Sequence, residues 1–576
     1  MLNDPLGGVQ GLGASAAMSQ DGRTAVVGAP TATISGHANQ GRVLVYTRTG
    51  TVWTEQATLE RAGGGVGEQF GFDVAIVGDG QTIAVGSPRD STGGLERGSV
   101  TIFTRTGSSW AEGVTIRRTG VLANTEHFGY ALAMTPDASR IAIGVPGAAT
   151  ALIRPGMVTV VDRPAGGWTT PPAQQSITAP VPVDAARFGQ AVAISSDGST
   201  FIAGGPALTS NRGMAAVFTH VGASWSGTAI TPAGLPATSF FGDAIAMSGD
   251  GRSAVIAAWD QDIGAANGTV YAYDGLPSST VPVQVISRTG GVTPEYFGRE
   301  LAMDDAGRMF ASSSWLADVG GVSWQGLVET LARPQAIGAW SDQATVVSPG
   351  LSGAARLGSS VSLSGSGGVM VAGASNAAVG GVTGSGAVVF TEILQALGVS
   401  VSGPGTVTGD GIGIACGVTC QTDVVQGDSV ALTASPNTGA EFTGWGGACS
   451  GTSPTCVVTP LAAASVTAGF SLPSTGASGR TPATTVSTLR QKVTIHGRAV
   501  TTTGPVTVTS LHITQRAAPS AKKVKRRSAT CRTAGKGTKR AFTCRVRLLP
   551  GRWTLTTEGR RGGAVISRAV KVVRIR

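Results

Sequence analysis

Cysteine is absent from the first 415 residues of this 576-residue chain; all six cysteines, Cys416, Cys420, Cys449, Cys456, Cys531 and Cys544, lie in the last third. Lysine is absent for longer, its seven copies beginning at Lys492. Histidine is scarce, and His37, His127, His220, His496 and His512 occupy unrelated positions. With no GxSxG elbow, HExxH pair or Walker loop, the residues that catalysis would position are not visible, and the expectation is a chain that is not an enzyme. Charged residues make up 13% and aromatics 5%, against 86 glycines, a balance that suits close-turning β structure better than helix. No apolar run approaches the ~18 residues that span a bilayer, so no transmembrane segment is expected. The opening MLNDPLGGVQ has neither a basic n-region nor an apolar h-region. If the protein is exported, its leader is expected upstream of Met1.

What the chain has instead is repetition, the first thing to read in a sequence. Leu12-Gly13, Phe70-Gly71, Phe128-Gly129, Phe188-Gly189, Phe241-Gly242, Phe297-Gly298 and Leu357-Gly358 recur 53 to 60 residues apart. After each head an alternating run such as DVAIV meets a turn such as Asp79-Gly80, and a second apolar run, TIAVG, follows. Asp-Gly tolerates the positive φ of a tight reversal, so each pair reads as a β-hairpin. A third strand (GSVTIFTRT, GRVLVYTRT) follows a variable loop, and a fourth begins near a Trp. Four short antiparallel strands per unit make a propeller blade. The predicted fold class is all-β, a seven-bladed β-propeller over residues 1–395 followed by two small β domains.

The Phe-Gly heads, with GAP, GSP, GVP and GGP ending at Pro30, Pro88, Pro146 and Pro206, resemble FG-GAP repeats, the blades of integrin-α-like propellers, in their bacterial form. That resemblance implies calcium bound in a D-x-D-x-D-G loop between the first two strands. Here the loop is a turn with one carboxylate (SQDGR, VGDGQ, TPDAS, SSDGS, SGDGR), two in DDAGR and none in SGSGG. One carboxylate cannot supply the six to eight oxygens calcium takes; the aspartates are read as turn formers, and no metal or other cofactor is expected.

Residues 396–472, with GWGGAC at Gly444–Cys449, resemble the bacterial repeat domain related to divergent internalin B-repeats, in that family a spacer. CGVTC and CSGTSPTC could be metal ligands, but no His lies in either segment. Disulfides are expected instead, implying an oxidising, extracytoplasmic setting; the pairs Cys416–Cys420 and Cys449–Cys456 accord with the resemblance, and Cys531–Cys544 is the third local pair. Residues 473–489 read as a Pro/Thr/Ser/Gly linker. Its LPSTG matches a sortase signal in letters, but a β-patterned domain stands where an apolar helix should follow. Residues 490–576 alternate like a β-sandwich and hold 22 Lys plus Arg against one acid, Glu558, while the remainder holds 21 Arg and 32 acids.

Two candidate sites follow. Eighteen residues after the head, blades one to four carry Pro30, Pro88, Pro146 and Pro206, and blades five and six carry Trp259 and Trp315. With Trp324 they are either gap-filling or a ligand platform for a protein or glycan on the face opposite the Asp-Gly turns, the face that binds ligand in integrin-like propellers. Lys522, Lys523, Lys525, Arg526 and Arg527 are the candidate contact for an anionic cell-envelope polymer. The expectation is a non-catalytic secreted or cell-surface binding or adhesion protein; a propeller-associated hydrolase and a purely structural envelope component are the rivals. The hydrolase would need clustered acids at the central channel, which the sequence does not display. Blade seven is expected to have three strands or a poor fourth.

Overall fold

The computed structural model describes residues 10–92, 95–119, 125–149, 152–207, 211–260, 268–288, 295–333, 338–347, 350–351, 353–409, 414–416 and 420–472 in full, and elsewhere the backbone of further strands, among them those between Lys492 and Ile575. Residues up to Glu392 form seven antiparallel sheets in which each strand pairs with the next in sequence. In the first blade these are Ser15–Met18, Thr24–Ala29, Arg42–Thr49 and Val52–Leu59. Six blades have four strands; the seventh, Leu357–Leu363, Val369–Ala374 and Ala387–Glu392, has three.

Burial explains why the strand patterns differ. Second strands such as Thr82–Ser87 and Thr24–Ala29 are buried along their whole length, because neighbouring blades cover both faces, and they read as unbroken small and apolar runs. A fourth strand such as Ser341–Val346 faces water and is polar. The head side chains plug the seams between blades: Phe70, Phe128, Phe188, Phe241, Leu12 and Leu357 are wholly buried. Heads also bridge the glycine just before the preceding blade's third strand, in Gly98–Phe128, Gly156–Phe188, Gly213–Phe241 and Gly326–Leu357.

The ring closes by the same device. Leu12 bridges Gly386 of blade seven, and an apolar cluster joins Leu12, Val27 and Leu44 of blade one to Val371 and Val388 of blade seven. Trp53 stacks on Phe390 with centroids 4.1 Å apart. At the Asp-Gly end, turn amides donate from blade to blade: Ser196 to Gly249, Gly249 to Asp305, Asp305 to Gly365, and Gly365 to Gln20, which crosses the closure. The turn aspartates are engaged locally, Asp137 accepting from Thr135 Oγ1 (2.7 Å) and Ser139 N (2.9 Å), and Asp197 from Ser195 Oγ (2.6 Å). These donors hold both carboxyls below the usual carboxylate range.

The strand leaving blade seven, Leu394–Ser402, already belongs to the spacer. It lies between Thr419–Val425 and Ala464–Ser471 in one four-stranded sheet, with Glu441–Gly447 outermost; a second sheet holds Gly405–Gly409 and Val430–Pro436. Disulfides Cys416–Cys420 and Cys449–Cys456 are formed. The spacer is joined to the propeller by more than its chain. Arg48 of blade one donates to Glu392 (3.1 Å) and to both oxygens of Asp428 (3.0 and 3.1 Å), and Gln426 Nε2 to Ser366 O (2.8 Å).

Residues Ser474–Arg576 form a separate unit of two four-stranded sheets. Its register sets Cys531 opposite Cys544 and Arg552 opposite Arg574. Among the described residues no helix is long and apolar enough to cross a membrane.

Candidate functional site

The two residues after each head turn inward at the channel mouth on the face opposite the Asp-Gly turns. They read Ala14-Ser15, Phe72-Asp73, Tyr130-Ala131, Gln190-Ala191, Asp243-Ala244, Arg299-Glu300 and Ser359-Ser360, and they line a cavity of about 510 Å³ with Pro30, Trp315 and Ser375. The first of these two positions thus carries a different residue in every blade. Blades seven and one contribute only small ones (Ser359, Ser375, Ala14), so the mouth is open on that side and crowded on the other.

The crowded side is a connected polar cluster. Asp243, almost fully buried, accepts from Trp259 Nε1 at 2.7 Å, from Gln190 Nε2, and from Arg299 Nη1 at 3.0 Å. The same Arg299 nitrogen is 3.4 Å from Glu300 Oε1. The Arg299 guanidinium lies 5.6 Å from the Trp259 ring centre and 5.2 Å from that of Trp315, whose ring also carries Arg356 at 5.2 Å; a cation over an aromatic face is held by the ring quadrupole. Phe240 stacks on Trp259 at 4.9 Å and Tyr296 meets its edge. The residue before the head holds a positive φ in six blades (Gln69 57°, His127 58°, Arg187 56°, Phe240 52°, Tyr296 57°, Arg356 57°). Left-handed backbone at bulky residues is uncommon, and here it recurs in blades two to seven.

Across the channel, Asp73 accepts backbone amides from Val74 (2.9 Å) and Leu132 (2.7 Å), beside the tilted pair Phe72–Tyr130. Loss of water outweighs those two bonds and raises its carboxyl to about 7. Glu300 is also raised to about 7, by desolvation against the opposing pull of Arg299, with Asp243 and Asp73 adding to the rise. Its side chain keeps 37% of its surface open, in the cavity it lines. Burial and Asp243 raise the Tyr130 hydroxyl as well.

Trp259 and Trp315 therefore stand at the mouth, where they grip Arg299 with half-buried rings. Trp324 is apart from them, half exposed, with its amide on Asp318 (3.0 Å). Lys522, Lys523, Lys525 and Arg526 lie outside the described residues, and Arg527 opens strand Arg527–Ala529. The acids that sequence reading did not find, Asp73, Asp243 and Glu300, are gathered at the channel. The available signal was the register: each follows a Phe-Gly head by one or two positions, and a propeller brings all such positions to one axis. Among the described residues no three Asp, Glu, His or Cys gather as a metal would require.

A larger concavity, about 950 Å³, lies where the spacer meets the turns of blades six and seven. Three of its four charged groups are committed: Arg333 to Asp274 (2.8 Å), Asp305 to Gln20 (2.6 Å), and Asp304 to the amides of Arg308 and Met309.

The family model for the FG-GAP repeat matches residues 53–103, and that for the divergent InlB B-repeat domain matches residues 400–474. No curated protein matches the chain. Among solved structures, U3-55K is 14% identical with a TM-score of 0.39, covering 63% of this chain and 88% of that one. Sqt1 of Saccharomyces cerevisiae is 9% identical (TM-score 0.39; 65% and 82% covered), and the periplasmic gluconolactonase PpgL of Pseudomonas aeruginosa 16% (TM-score 0.39; 58% and 85%). The chain therefore carries an FG-GAP-repeat β-propeller followed by a divergent InlB B-repeat domain.

Proposed function

We propose that this is a non-catalytic binding protein of the cell exterior, with the propeller as recognition head, the InlB-like domain as spacer and the basic C-terminal unit as the contact for anionic envelope polymer. The observation that carries the reading is the mouth itself, where seven structurally equivalent positions have diverged into an asymmetric, half-open pocket. Packing alone asks nothing of the kind, since blade interiors keep to the repeat; a concave site with a few convergent polar groups is the usual form of a ligand pocket. The two spacer disulfides support an oxidising compartment. Tight blade closure around the heads suits a rigid platform.

The test is a glycan array probed with the full chain and with Ser359→Trp, which fills the open side from a partly buried position. Binding by the parent chain that Ser359→Trp removes, at unchanged melting temperature, is the expected result. Retained binding would move the site elsewhere.

A hydrolase is the second reading, favoured by Asp73 and Glu300 facing one cavity with carboxyls near neutrality. Chromogenic glycosides and lactones are expected to show no turnover. Turnover lost in Glu300→Gln would establish the hydrolase instead.

A further inference from the structure

The chemistry of the mouth narrows its ligand. Three carboxyls face it, Asp73, Asp243 and Glu300, with Arg299 as the guanidinium among them. Asp243 holds that guanidinium at 3.0 Å and Glu300 reaches the same nitrogen only at 3.4 Å. Asp73 is met by two backbone amides, which are partial charges and cannot neutralise it. The site thus carries an excess of negative charge in a confined space where charges are costly unless paired. Burial is what raises both carboxyls; neighbouring acids, Asp243 and Asp73, add to the rise only at Glu300.

Around these two acids stand the remaining features of a carbohydrate site. Phe72 and Tyr130 offer aromatic surface beside Asp73; Gln190, bonded to Asp243, and the mutually bonded hydroxyls of Ser359 and Ser375 line the rim. A neutral sugar would use the rings and the hydroxyls and leave the charge excess standing. An anionic one would worsen it.

We propose that the channel mouth binds a glycan through a free amino group, an amino sugar whose ammonium is set between Asp73 and Glu300 while its ring lies against Phe72 and Tyr130. This rests on the mouth being the recognition site. The ammonium brings three donors and a compact charge, which supplies what the two carboxyls lack, and aromatic faces attract it further. Its arrival favours the ionised carboxylates, so binding near neutral pH releases protons from Asp73 and Glu300. The charged groups around them are Arg299, Asp243 and, beyond Tyr130, Arg187. Affinity should therefore pass through a maximum near neutrality: at lower pH the carboxyls are protonated, and at higher pH the amine loses its own proton.

The experiment is calorimetric titration of the full chain with two tetrasaccharides of one backbone, the glucosamine tetramer and its fully N-acetylated form. The glucosamine tetramer is expected to bind at least about tenfold more tightly, and the Asp73→Asn, Glu300→Gln double variant to erase that difference. Either single variant, should the double not fold, is expected to reduce it and to flatten the pH profile. Equal binding of both tetramers, abolished by Ser359→Trp, would keep the mouth as the site and overturn the ammonium inference. Binding of the glucosamine tetramer that survives both the acid substitutions and Ser359→Trp would be general attraction to an acidic propeller, and overturns it too. Failure of both tetramers overturns the inference and leaves the mouth to be judged by the array.

Discussion

The glycine that begins each GAP-type triplet has a neighbouring blade's backbone where a Cβ would stand. A Cβ on Gly28 would lie 2.1 Å from Gly71 O, on Gly86 2.1 Å from Gly129 O, and on Gly144 2.0 Å from Gly189 O. The carbonyl each would strike belongs to the next head, and that contact is the seam itself. Gly144→Ala is therefore expected to cost about 2–4 kcal/mol in a urea titration; a loss within experimental error would show that the seam can spread. Blades five and six carry Ala257 and Ser313 at this position, two residues before Trp259 and Trp315, so the seam and the loop departed from the repeat together. The heads and these glycines were legible because every blade states them. Asp73, Asp243 and Glu300 were not, because their meaning appears only when blades two, five and six share an axis. Their chemistry has a stability consequence. Asp73 and Glu300 are raised to about 7 from unfolded values near 4, so between those limits the folded chain binds protons that the unfolded chain has released. Stability should fall as pH rises through that window, and Asp73→Asn should flatten the fall. A melting temperature that climbs from pH 4 to 7 in the parent chain, and does so equally in the variant, would contradict this.

Strands were the most legible level, since an Asp-Gly turn between two apolar runs fixes a hairpin wherever it occurs. The three-stranded seventh blade follows from the same pattern, because no Trp-led fourth run succeeds Ala387–Glu392. The joint to the spacer was not legible. Arg48 ends GRVLVYTRT as Arg105 ends GSVTIFTRT, yet Arg105 bonds the carbonyl of Gly107 in its own turn (2.9 Å), whereas Arg48 is buried between Glu392 and Asp428. Identical local sequence gave no hint of a partner that comes from 380 residues further along. Arg48 also donates Nε to Gly22 O (3.0 Å), so Arg48→Ala strands one carbonyl and two carboxylates. A loss of about 2–3 kcal/mol is expected, below that of a fully buried pair because Asp428 keeps 37% of its side chain exposed. Asp428→Ala should cost about 1 kcal/mol or less. If the two substitutions cost the same, Arg48 acts through the spacer alone and its hold on the propeller is negligible.

Over the whole molecule charge is sorted along the chain, with 22 Lys plus Arg against one acid in the last 87 residues and 21 Arg against 32 acids before them. Composition alone displayed this, and the strands of the basic unit sharpen it. Register sets Arg552 directly opposite Arg574 and Arg516 opposite Thr554 on the next strand, while Trp553, flanking Arg552, faces Ala517 and Val573. Like charges directly opposed cost stability, and Glu558 is the single acid of the segment, so the envelope polyanion of the proposed function would supply counter-charge. Binding of such a polymer releases its condensed counterions and makes affinity fall linearly in log–log form with salt, by roughly 0.9 for each anionic group neutralised on a duplex-like charge density and somewhat less on sparser chains. The full chain is therefore expected to bind heparin, used as the polyanion, with a steep salt dependence. Replacing Lys522, Lys523, Lys525, Arg526 and Arg527 by Gln should weaken binding and lower the slope if that run makes contact; replacing Arg516, Arg552 and Arg574 separates the strand arginines from the run. Affinity independent of salt, or no binding at low ionic strength, would leave the basic unit as a solubility device and remove the envelope contact from the proposed function.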